Sequence, residues 1–288
     1  MKGMIFVGCS FTWGQGLYYY SELNHIPTME EWSFDYKRMT DALINYKNVF
    51  RYPRLVANHF NTFEVCKESN GGSDDLSIKM LEKLFDKNKF PHHTHLTTQN
   101  FYYDDISYVI FQTTQTSRSG FEFTFGGKNY LLYASNSLLT AREVRIVKEN
   151  GQEFPLENGM NIFYEWCFQN NITPKQWIDT HLKFWTNKIK ETLLDLEKNN
   201  IKTIILCWPP DYMELIKEDD FLNSRLVSLN YNNEKYDTIQ DLMVKNQNLM
   251  IEYDFENFEN KPPQDRHPSR LCHQIIAQSI IEKIENEK

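Results

Sequence analysis

The 288 residues suffice for one large domain or two small ones, and 41% hydrophobic against 24% charged content excludes a disordered or collagen-like chain. The net charge of −8 argues against a general nucleic-acid-binding surface, which needs a basic footprint. No apolar run approaches the ~18 residues of a membrane span, and the N-terminal stretch is too short for a signal peptide, so no membrane contact is expected and the expected setting is the cytoplasm.

Met4–Val7 is a short apolar run closed by Gly8-Cys9-Ser10, the pattern of a strand entering a turn. The segment from Phe11 to about Asn48 is aromatic-rich and irregular. Pro53–Phe60 has helical spacing, and Thr62–Ser69 reads as a second strand ending in Asn70-Gly71-Gly72-Ser73, residues that tolerate positive φ. Asp74 or Asp75 then caps a helix expected over Leu76–Lys87, and Ser107–Thr114 forms a third strand. Residues 119–160 read as a β-rich insertion of two hairpins, turning at Gly126-Gly127 and at Asn150-Gly151. A long amphipathic helix follows over Pro174–Asn199, carrying Trp177, His181, Phe184, Trp185 and Ile189 on one stripe. Ile201–Trp208 is an apolar strand stopped by Pro209-Pro210, residues 211–245 are polar and helical, and Asn248–Phe255 is a last strand. Arg270–Ile284 closes the chain as a helix. Strands alternating with helices imply an α/β fold with a parallel sheet of about five strands covered on both faces, in one domain spanning 1–288. Functional groups then gather at the carboxyl ends of the strands.

Three segments carry residues suited to chemistry. Ser10 follows a buried strand, where a sharp turn exposes a hydroxyl and the next helix aims backbone N–H groups at it, although such a serine also serves as an ordinary helix cap. Gly71 and Gly72 follow the second strand, and a glycine N–H there meets an oxyanion without side-chain obstruction; the bland alternative is a plain turn. Asp265-Arg266-His267-Pro268 precedes the last helix and pairs an imidazole base with a nearby carboxylate, unless the two are solvated loop residues. Cys9 is a rival thiol nucleophile, but strand alternation turns it opposite to Ser10, into the fold. Trp13 and Arg118 suit substrate binding, the first by stacking and the second by bidentate contact with an anionic group. His92, His93 and His95 lack a nearby carboxylate and read as a polar loop; His59 and His273 read as helix-packing residues. The five cysteines are widely spaced with no C-x-x-C pair, so neither a zinc site nor a disulfide framework is expected.

Taken together, Gly8-Cys9-Ser10-Phe11-Thr12-Trp13-Gly14, Asn70-Gly71-Gly72-Ser73 and the Asp265–Ile280 segment resemble, in order, blocks of the SGNH/GDSL hydrolase family. The resemblance implies a flavodoxin-like three-layer α/β/α sandwich outside the insertion. It implies hydrolysis of a small-molecule or carbohydrate ester, O-acetyl groups among them, with no metal or cofactor. It implies Ser10 as nucleophile, His267 as base and Asp265 as its orienter, with Ser10 and Gly72 lining the oxyanion hole. Two departures stand out. Asp265-x-His267 is one residue tighter than the family's spacing, and the Gly-x-Asn-Asp block after the third strand is replaced by Gln112–Arg118. Thr114, Gln115 or Thr116 would then supply the missing donor. Acyl transfer to a carbohydrate acceptor would use the same residues, and a catalytically inactive carbohydrate-binding module is the non-enzymatic alternative.

Overall fold

The computed structural model describes residues 2–9, 12, 48–66, 73–85, 103–114, 120–134, 141–148, 151–250 and 267–287. Among the described residues, four parallel strands form the central sheet: β1 (Gly3–Val7), β2 (Glu64–Cys66), β3 (Ile106–Gln112) and, numbered in chain order, β8 (Lys202–Leu206). Their spatial order is β2-β1-β3-β8. Register is set by apolar pairs such as Ile5 against Val65 and Val109, and Ile110 against Ile204. Each strand is a nearly continuous apolar run because both of its faces are covered. Met4, Phe6, Ile110 and Ile204 enter one core with α1 (Tyr52–His59) and the final helix. Ile5, Val7, Val109 and Ile205 enter a second core with α2 (Asp74–Phe85) and α4 (Pro174–Lys198).

Between β3 and β8 lies a separate antiparallel sheet of β4 (Phe121–Phe125), β5 (Lys128–Ala134), β6 (Ala141–Val147) and β7 (Glu153–Pro155), in that order. Gly126 and Gly127 turn the first hairpin with φ of 55° and 73°, a left-handed conformation that glycine adopts without strain. The expected β-rich segment is therefore observed, but it does not end as a sheet alone. It continues into α3 (Gly159–Gln169), a helix absent from the sequence reading, and Phe121, Phe123 and Leu132 pack on Phe163, Trp177 and Ile178 as a third core.

Helix ends follow local chemistry. Thr173 and Gln176 form a reciprocal capping box at the start of α4, with Pro174 in its first turn. The helices α1, α3 and α4 end alike, with Asn61, Asn171 and Asn200 at positive φ and the next residue's N–H bonded five residues back, to Ala57, Cys167 and Leu196.

Residues 211–245 depart from the expected helical stretch. The short helices α5 (Met213–Glu218) and α6 (Asp220–Arg225) precede a hairpin of β9 (Leu229–Tyr231) and β10 (Glu234–Tyr236), followed by α7 (Ile239–Lys245). Asn232 and Asn233, both at positive φ, make the hairpin turn. Of the last strand expected over Asn248–Phe255, Asn248 and Leu249 belong to a 3₁₀ turn over Gln247–Leu249 and Met250 bridges to Pro268, while residues 251–255 lie outside the described residues. The final helix is α8 (Arg270–Asn286). On the amphipathic stripe of α4, Phe184 is exposed rather than buried. Among the described residues, no helix is long and apolar enough to cross a membrane.

Candidate active site

Chain connections leave β1 and β3 in opposite directions, β1 toward β2 and β3 toward β8. In an open parallel sheet, that divergence opens a crevice at the carboxyl ends of the two adjacent strands. Gly8 and Cys9 stand at the end of β1; Gln112, Thr113 and Thr114 stand at the end of β3.

The two strand ends are tied by a buried amide. Gln112 Oε1 accepts from Thr12 Oγ1 at 2.7 Å and from the Tyr52 hydroxyl at 3.1 Å. Its Nε2 donates to Cys9 Sγ at 2.9 Å. The Thr12 and Tyr52 hydroxyls also share a hydrogen bond of 2.8 Å. Burial raises the Tyr52 phenol well above its ordinary pKa, so it stays a proton donor. Gly8 makes the close approach possible: a Cβ there would lie 2.2 Å from Thr12 Oγ1 and 2.8 Å from Gln112 Cβ. Cys9 is fully buried, its sulfur engaged by Gln112.

His267 is half-buried at the entry to α8. Pro268 bridges to Met250, Ser269 Oγ accepts from the Cys272 N–H as the helix cap, and the Ser269 N–H is bonded to Leu249 O at 2.7 Å. The loop end that carries His267 is thus fixed on its C-terminal side. One turn into α8, His273 is fully buried and stacks on Tyr52 with ring centroids 5.8 Å apart. Its Nδ1 accepts from the Tyr52 N–H at 3.2 Å, which puts the ring proton on Nε2. Burial, with a smaller contribution from nearby His267, lowers its pKa to about 3, so it is neutral at ordinary pH and unsuited to act as a base. His59 sits at the surface and meets Glu285 at 3.0 Å.

Asp74 is the residue that the sequence reading missed. It lies in the first turn of α2, whereas Ser73 occupies the position before the helix that had been expected for Asp74 or Asp75. Its carboxyl is fully buried, accepting from the Thr114 N–H at 2.9 Å and from the Tyr212 hydroxyl at 2.8 Å. Burial dominates over these two bonds and pushes its pKa up to about 7. The Thr114 and Ser77 hydroxyls are both buried and without hydrogen-bond partners. Beyond them, Thr113 Oγ1 donates to Cys207 Sγ at 3.3 Å, and burial raises that thiol to about 12.

Of the residues singled out from the sequence, Ser10, Trp13, Gly71, Gly72, Thr116, Arg118 and Asp265 lie outside the described residues. Thr114 and His267 are described. Thr114 is fully buried with its N–H committed to Asp74, leaving its hydroxyl as the remaining donor. All five cysteines are buried, and among the described residues no group of His, Cys, Asp and Glu could hold a metal ion. No protein-family model matches the chain, and no curated protein or solved structure matches it significantly.

Proposed function

We propose that the chain is a serine ester hydrolase of the SGNH/GDSL type, built as a flavodoxin-like three-layer α/β/α sandwich. The observation that carries the reading is the divergence of the chain connections at the carboxyl ends of β1 and β3. The Gly8-Cys9 end of β1 leads directly into Ser10, and the residues on either side of that position, Cys9 and Thr12, are held by one amide from β3. The strand order β2-β1-β3-β8 is the order of a flavodoxin-like sheet, in which ligands bind at this divergence.

In this mechanism the His267 imidazole takes the proton from Ser10 Oγ as that oxygen attacks an ester carbonyl carbon, with Asp265 orienting the ring. The tetrahedral oxyanion accepts hydrogen bonds from the N–H groups of Ser10 and Gly72 and from a polar side chain of Thr114 or Thr116. His267 then returns the proton to the leaving alcohol, and a water molecule, deprotonated by the same imidazole, releases the acyl group as a carboxylic acid. Trp13, Gly71 and Arg118 line the substrate side. Lacking the family's asparagine donor costs ~3 kcal/mol of transition-state stabilisation, which makes this a slow esterase unless a threonine replaces it. The proposed setting is the cytoplasm, and the proposed substrate a small-molecule or carbohydrate ester.

Turnover of p-nitrophenyl acetate by the Ser10→Ala variant tests the reading. Loss of activity with an unchanged circular dichroism spectrum is expected; full activity in that variant contradicts it.

A further inference from the structure

We infer that Gln112 is a positioning residue for the nucleophile turn, holding both flanks of Ser10 through one side-chain amide. The inference rests on the proposed role of Ser10 and extends it to Gln112, the first residue of the segment that stands in place of the family's third block.

A serine nucleophile must hold its oxygen within a few tenths of an ångström of the attack line, and displacement by 1 Å costs on the order of 10²-fold in rate. Short turns do not impose that accuracy by themselves, so a second set of contacts has to fix the flanking residues. Gln112 has the required geometry. Its two ends reach residues on opposite sides of position 10: Nε2 reaches Cys9 at 2.9 Å, and Oε1 reaches Thr12 at 2.7 Å. Residues 9 and 12 are three apart in the chain, so only Ser10 and Phe11 stand between the two ends of the clamp in sequence.

The clamp is itself held. The Tyr52 hydroxyl meets both Thr12 Oγ1 and Gln112 Oε1, and the Tyr52 backbone N–H is bonded to His273 Nδ1 in α8. Cys66 at the end of β2 adds a bond from its sulfur to the Thr12 carbonyl at 3.4 Å. Thr12 donates to Gln112, the single Tyr52 proton is shared between Thr12 Oγ1 and Gln112 Oε1, and the Gln112 amide donates to Cys9. Every member is buried, so a lost bond is not replaced by water.

The test measures the rate of covalent labelling by a fluorophosphonate and the kinetics of p-nitrophenyl acetate hydrolysis in wild type, Gln112→Met and Ser10→Ala. Methionine keeps the length and bulk of the side chain but loses both ends of the clamp. The expected result is labelling and kcat both slowed on the order of 10²-fold in Gln112→Met, with KM changed less than about threefold and a native dichroism spectrum. Labelling of Gln112→Met at the wild-type rate overturns the inference while leaving the role of Ser10 intact. Absence of labelling at Ser10 in the wild type overturns the inference together with the reading on which it rests. Should Gln112→Met not fold, Thr12→Val and Thr12→Ser take its place: slowing in the valine variant with recovery in the serine variant supports the clamp, and equal rates in the two overturn it.

Discussion

Asp74 carries a stability effect whose sign is unusual for a carboxylate. Its folded-state pKa of about 7 stands above the ordinary 3.8, so the folded protein retains a proton that the unfolded chain releases. The stabilising contribution is complete below the unfolded pKa and is lost as pH rises through the folded one. At ~1.4 kcal/mol per pKa unit, the full loss is about 4 kcal/mol, of which roughly 2–3 kcal/mol falls between about pH 5 and about pH 8. Asp74→Asn imitates the protonated acid. Its amide oxygen accepts from the Thr114 N–H, and its amide nitrogen donates to the Tyr212 oxygen in place of the bond that Tyr212 now donates. The assay is urea unfolding of both proteins at steps across that pH range. The other titrating groups are common to the two proteins, so the difference between them isolates Asp74. With asparagine standing in for the protonated acid, the variant is expected to lead by about 1.5 kcal/mol around pH 5 and to gain roughly 2–3 kcal/mol more on the wild type by about pH 8. A difference that stays flat across the range, or an asparagine variant that falls further behind as pH rises, would refute the reasoning.

Two substitutions test the packing around the candidate site and the buried charge on α1. Gly8→Ala drives a methyl group to within 2.2 Å of Thr12 Oγ1, and overpacking of that kind costs about 1–3 kcal/mol; thermal melts should show the loss, with p-nitrophenyl acetate turnover falling alongside it because the same clamp is displaced. Glu64→Ala removes the carboxylate shared by Arg51 at 3.3 Å and Arg54 at 2.7 Å, the first pair being buried on both sides. Breaking one side of a buried pair costs about 3–5 kcal/mol, so urea unfolding should show a loss of that size and no change in KM.

The central sheet was legible because its strands need no distant information. Met4–Val7 lies between two glycines and the apolar run Ile204–Trp208 stops at Pro209, the pattern of a short strand buried on both faces. The insertion hairpin was legible for a similar reason, since Gly126-Gly127 announces a turn with positive φ. What escaped was tertiary in origin. The β9–β10 hairpin has strands of three residues in a polar stretch, too short to show alternation, and its turn uses two asparagines where glycine is the usual signal. The aromatic run of α3 gave no clear helical stripe because its neighbours come from the antiparallel sheet. Asp74 looked like a capping residue, since nothing local announces that Tyr212, 138 positions later, encloses its carboxyl. In the same way Gln112 read as the polar end of a strand, and its partners Cys9, Thr12 and Tyr52 become visible only once β1 and β3 lie side by side.

The most direct test of the account is to map the fluorophosphonate adduct by mass spectrometry. The account predicts a single phosphonylated peptide with the modification on Ser10, formed much more slowly when His267 is replaced by Asn. An adduct on another residue, or hydrolysis of p-nitrophenyl acetate by wild type with Ser10 left unmodified, would contradict it.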